Sequence, residues 1–135
     1  MATLDDICEN LINDVKDARG AALVDLSTGL ILSVAHNVSY FTQEYLDAVA
    51  ASAVEMFRGD TVSAVESLLS SQRGSRVEKT IKEVQMSTDM THHFMSIVPD
   101  KPDTLMVLIT GKGANLGMGW VNLRKAISDA APLCP

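Results

Sequence analysis

At 135 residues the chain is long enough for one domain, spanning 1–135, with a core of its own. A formal charge of −6 with scattered Lys and Arg counts against nucleic-acid binding, and no apolar run approaches the ~20 residues of a membrane-spanning helix. Aromatics supply only 4% of residues against a hydrophobic share of 47%, so Val, Leu, Ile, Ala and seven Met must fill the core.

Thr3 to Ala18 reads as an amphipathic helix, because Leu4, Ile7, Cys8, Leu11, Ile12 and Val15 follow the i, i+3, i+4, i+7 template. Thr3 is a natural N-cap, Asp5 and Asp6 place negative charge on the positive end of the dipole, and Gly20 fits the left-handed residue that ends such helices. A hairpin follows, Ala21 to Leu26 and Leu30 to Ala35, joined by Ser27-Thr28-Gly29. Gly29 can take the positive φ a tight turn needs, and Asp25 and Ser27 can cap its tip. His36-Asn37 begins a loop.

Thr42 to Phe57 is a second helix with Thr42 as its cap. Tyr45, Leu46, Val49, Ala50, Ala53, Val54, Met56 and Phe57 cover more than one narrow stripe, which predicts burial on two sides. The helix either breaks at Gly59-Asp60 or runs through; Val62, Val65, Leu68 and Leu69 resume the helical period as far as Ser70. Beyond the polar Ser71 to Ser75 come three strand candidates. Lys79 to Ser87, with Ile81, Val84 and Met86 among charges, suits a sheet edge. Thr91 to Val98 alternates loosely, and Pro99 to Asp103 is a turn. Leu105 to Ile109 is apolar throughout, as befits a central strand covered on both faces. A helix from about Asn115 to Ala130, stopped by Pro132, closes the chain. The expected order is α-β-β-α-β-β-β-α, an α+β fold with a five-stranded, mostly antiparallel sheet and helices on both faces.

The glycine-rich segment Thr110 to Gly119, between strand and helix, imitates a nucleotide loop. A dinucleotide site needs a second strand with an acidic end about 20 residues further on, and only Ser128 to Pro135 remain beyond Ile127. A phosphate loop would need Ser or Thr where Gly113 follows Lys112. The glycines are therefore expected to serve structure: Asn115 as N-cap, with Gly117 and Gly119 letting the first turn lie close to the sheet. His92 and His93 are adjacent on a strand and point to opposite faces, so they cannot chelate one metal together. No catalytic, cofactor-binding or metal-binding constellation is expected. Cys8 and Cys134 have no metal or disulfide spacing and are expected as reduced thiols of a cytoplasmic protein, Cys8 beside an apolar helix face and Cys134 in a tail.

Two segments carry a further resemblance. The hairpin AALVDLSTGLILSVA, with Asp25 and Gly29, and the turn GANLGMGWVNLRKAI, with Asn115-Leu116-Gly117, resemble the roadblock (dynein light chain type) domain family, which includes regulators of small GTPases. The likeness in element order covers about residues 3 to 131; Gly119-Trp120 and the long polar stretch from Gly59 to Glu78 depart from it. The resemblance implies a profilin/longin-like sandwich and a non-catalytic homodimer in which the second helix and third strand meet their mates. It implies a platform for a Ras-like small GTPase, or alternatively an adaptor module for a kinase or cytoskeletal partner. By position the dimer or partner surface would involve Val49, Ala50, Ala53, Val54, Phe57, Val84 and Met86.

Overall fold

The computed structural model describes residues 2–135. In chain order the elements are α1 (Leu4–Asp14), β1 (Ala18–Asp25), β2 (Leu30–His36), α2 (Gln43–Arg58), α3 (Asp60–Arg73), β3 (Glu83–Ser87), β4 (Thr91–Val98), β5 (Lys101–Gly111) and α4 (Leu116–Ala130), followed by a 3-10 turn at Ala131–Leu133. The strands form one antiparallel sheet in the order β2-β1-β5-β4-β3.

The all-apolar segment lies at the centre, as its pattern requires. Met106 and Leu108 of β5 point toward α1 and α4, while Leu105, Val107 and Ile109 point toward α2. Each such fully buried side chain stabilises by about 1.5–3 kcal/mol, so β5 ties two separate cores together. One core packs α1 and α4 on the sheet through Ile7, Cys8, Leu11, Leu123 and Ile127; the other packs α2 through Leu46, Ala50, Ala53 and Phe57.

Local chemistry explains where the elements begin and end. Thr3 and Asp6 form a reciprocal capping box at α1, the Asp6 N–H donating to Thr3 Oγ1 at 3.2 Å and the Thr3 N–H to Asp6 Oδ2 at 2.9 Å. The helix stops at Asp14 rather than Ala18, and Asp17 (φ 63°), not Gly20, takes the left-handed conformation after it. Gly20 instead lies in β1, where a Cβ would fall 2.6 Å from the Phe41 ring. The hairpin turn is as expected, with Gly29 at φ 76° and the Asp25 carboxylate accepting from both the amide and the hydroxyl of Ser27.

Gly59 does break the second helix, which adds an element to the expected order. Its extended backbone (φ −67°, ψ 168°) ends α2 and starts α3. Among the residues of α3 only Glu66 is buried. Its carboxylate accepts from the Thr80 amide at 2.7 Å and the Thr80 hydroxyl at 2.6 Å, which holds its pKa below the ordinary Glu range. This contact also corrects the start of β3. Lys79 has φ 50° and the Thr80 amide is committed to Glu66, so regular pairing begins only at Glu83. The turn before β5 is likewise shorter than expected, with Asp100 at φ 62° and the strand already under way at Lys101.

Cys134 is not in a loose tail. It is buried in the same core as Cys8, and the Lys101 ammonium donates to its carbonyl at 3.0 Å. Both thiols are free, and burial pushes both up, Cys8 to about 11. Among the described residues no helix is long and apolar enough to cross a membrane.

Candidate interaction surface

The glycine turn after β5 has its anion position filled from within. The Gly113 N–H donates to the Asp17 carboxylate at 2.9 Å, and the Gly111 N–H donates to the Asp17 carbonyl at 2.9 Å. A Cβ on Gly111 would meet that carboxylate at 2.3 Å. The chain thus supplies its own negative charge to the place where a nucleotide loop would hold phosphate. Asn115 caps α4 through Oδ1, which accepts from the Met118 amide at 2.9 Å. Gly119 allows the close approach expected of it, since a Cβ there would lie 2.7 Å from Phe94 Cζ. Gly117 does not: it is exposed, and the sole neighbour within 4 Å of a Cβ would be Asn115 Oδ1 at 3.3 Å.

The two histidines diverge. His92 faces the α4 side, near Phe94, with Nδ1 2.6 Å from the Ser87 hydroxyl. His93 faces the α2 side, with Nε2 3.0 Å from the Thr91 hydroxyl. Among the described residues no three His, Cys, Asp or Glu side chains are grouped as a metal site needs.

The open surface lies on the α2 side. α2 covers the sheet unevenly: Leu46, Ala50, Ala53 and Phe57 sink into the core beneath it, while the β3–β4 half of that face is only partly covered, with Met95 buried and Met86 exposed. The result is a groove of ≈ 240 Å³ between Tyr45, Val49 and Met56 of α2 and Met86, His93 and Met95 of the sheet. At its outer rim runs β3. One face of this strand is fixed to α4, where Trp120 Nε1 donates to Gln85 Oε1 at 2.7 Å and Arg124 pairs with Glu83 at 3.3 Å. Its other face offers half-buried Val84 and exposed Met86 beside the groove. Its outer edge carries unpaired backbone groups.

The two sheet edges differ. β2 carries a bulge, since Leu23 pairs with Ser33 and Val24 with Ile31, leaving Leu32 unmatched. A bulge kinks and twists a strand, which spoils it as a pairing template. β3 pairs with β4 without interruption from Glu83 to Ser87 and presents a regular edge.

Of the residues expected on the surface, Val49 and Met86 line the groove and Val84 lies beside it on β3. Ala50, Ala53 and Phe57 are a correction: at 0%, 1% and 0% exposure they are consumed by the protomer's own core. Val54 is half-buried and sits toward the hairpin, its Cγ2 4.0 Å from where a Gly29 Cβ would be. The groove adds Tyr45, Met56, His93 and Met95, which belong to patterns visible in the chain. Positions 45, 49, 52 and 56 make one helical stripe, and 93 and 95 share one face of a strand.

No protein-family model matches this sequence, and none of the curated proteins does. Solved structures do match. The Roadblock/LC7 domain from Streptomyces avermitilis aligns over 97% of this chain and 97% of its own, with a TM-score of 0.71 at 20% identity. The fold is that of a Roadblock/LC7 domain. Two further structures share this roadblock fold at 18% identity. Myxococcus xanthus MglB matches 96% of this chain and 93% of its own with a TM-score of 0.69. The gliding protein MglB of Thermus thermophilus matches 96% of this chain and 87% of its own with a TM-score of 0.71. The α+β sandwich expected from the hairpin and the Asn115-Leu116-Gly117 turn is therefore the one observed.

Proposed function

We propose that this chain is a non-catalytic homodimeric regulator or scaffold that docks a Ras-like small GTPase. The observation that carries the dimer is the half-covered α2 face contiguous with the regular β3 edge. Two copies related by a two-fold axis would pair β3 with β3 and lay α2 of each over the open groove of the other, removing Val49, Met56, Val84 and Met86 from water together. The GTPase partner is supported by the roadblock likeness, the solved fold-mates including MglB from two bacteria. The non-catalytic reading is supported by the Asp17 carboxylate seated on the glycine turn that imitates a nucleotide loop.

Sedimentation velocity at roughly 50 µM is expected to give a dimer with a micromolar or tighter Kd. Met86→Glu places a charge in the centre of the joint and is expected to give a folded monomer with unchanged far-UV circular dichroism. A wild-type monomer at that concentration would sink the proposal. The docking step is tested with a purified Ras-like GTPase from the same genome. Binding should differ between its GTP- and GDP-loaded forms, and equal or absent binding of both would refute it.

A further inference from the structure

We infer that His93 makes self-association depend on pH: two copies close over a neutral imidazole and part when it takes up a proton. The inference deepens the dimer reading above and rests on it.

His93 occupies the middle of the groove floor, paired in register with Met86 of β3 and Ile109 of β5. The groups that face it decide what charge it can carry. α2 contributes the Tyr45 phenol, the Ser52 hydroxyl, which donates to the Ala48 carbonyl at 2.9 Å, and the apolar Ala48, Val49 and Met56; β3 contributes Met86, and β5 contributes Val107. Among the described residues no Asp, Glu, Lys or Arg lines the groove. On its own strand, His92 points to the opposite face and bonds Ser87, and Thr91 offers a hydroxyl that can partner Nε2 in either protonation state. An imidazolium here has hydroxyls and water as its support, with no carboxylate. Burial, and to a smaller degree the His92 imidazole, already hold His93 below the ordinary histidine range in the single protomer.

A second α2 laid over the groove removes the remaining water. The neutral ring tolerates this, being mostly apolar with one hydroxyl partner. The protonated ring would lose its hydration with no anion in return, an outcome that opposes closure. Each copy must then release one proton to enter the dimer. Linkage sets the slope: below the titration range, two imidazoles raise the dimer Kd by up to about 100-fold per pH unit. The Tyr45 phenol, whose pKa burial raises, stays protonated across this range and adds nothing to the slope.

The test is the dimer Kd by sedimentation velocity at about pH 7.5 and about pH 5.5, with circular dichroism confirming the fold at both. The wild-type Kd is expected to weaken severalfold at the lower pH, short of the about 100-fold that two imidazoles of ordinary pKa would give. His93→Gln, which keeps a polar and permanently neutral side chain, should flatten the response, and His92→Gln should retain it. A wild-type dimer with the same Kd at both values overturns the inference while leaving the dimer standing. A pH response undiminished in His93→Gln overturns it also, by assigning the proton elsewhere. A wild-type monomer at the higher pH refutes the dimer and this inference with it.

Discussion

Gly117 and Gly119 stand two residues apart in the first turns of α4, yet alanine should act on them in opposite directions. At Gly119 the new methyl would lie 2.7, 2.9 and 3.3 Å from Cζ, Cε2 and Cε1 of Phe94. That ring cannot step aside. It is fully buried and meets Trp120 edge-on, with centroids 5.5 Å apart and planes at 82°. Overpacking of this kind costs about 1–3 kcal/mol, offset by about 1 kcal/mol from replacing glycine within a helix. The net is a loss of roughly 1 kcal/mol, rising to about 2 if Trp120 must also move. At Gly117 the methyl would meet only Asn115 Oδ1 at 3.3 Å, and the side is open to water. A small adjustment of the cap leaves a net gain of about 0.5 kcal/mol from helix propensity. Urea unfolding followed by the fluorescence of Trp120, the single tryptophan, would separate the variants at one fixed protein concentration. Gly119→Ala at or above wild-type stability would refute the close-approach argument, and a marked loss for Gly117→Ala would show that both glycines are sterically required.

Other substitutions test the remaining joints. Glu66→Gln should cost about 1–2 kcal/mol by weakening the charge-assisted bonds to Thr80. Because the native state holds this carboxylate below its ordinary value of 4.5, its contribution is complete above that value. It is lost as pH falls through the lowered native value, so the acid limb of a stability–pH curve should be shallower in the variant. Asp17→Ala should lose about 2 kcal/mol, part from an alanine at positive φ and part from the bond to Gly113; hydrogen exchange at the Gly113 amide should rise with it. Asp17→Asn, which tolerates that backbone and keeps an acceptor, should lose less than half as much. Calorimetry with ATP or NADP is expected to show no saturable binding, because Asp17 already occupies the turn.

What can be read from the chain alone follows the strength of its local signals. The capped α1, the Ser27-Thr28-Gly29 hairpin, the Thr42 and Asn115 caps and the all-apolar β5 each carry period and punctuation in the same few residues. Three of the misplacements share one cause, a contact between residues far apart in sequence. Gly20 reads as a helix terminator because its partner, Phe41, lies 21 positions on. Lys79 to Lys82 has the composition of a strand, but Glu66, 14 positions before Thr80, takes the Thr80 amide. Cys134 reads as tail because the groups that hold it, Lys101 and the α1 core, are distant in the chain. The surface residues divide the same way. A broad apolar helix declares that two sides are covered, but only tertiary placement tells that Ala50, Ala53 and Phe57 face inward while Val49 and Met56 face out.

The unmatched Leu32 has a bearing on how far association can go. A sheet lengthened by joining two copies at their regular margins would end, left and right, in the kinked β2. Neither end would then invite a third chain, so growth by the proposed joint would halt at a closed pair instead of running on into a fibre.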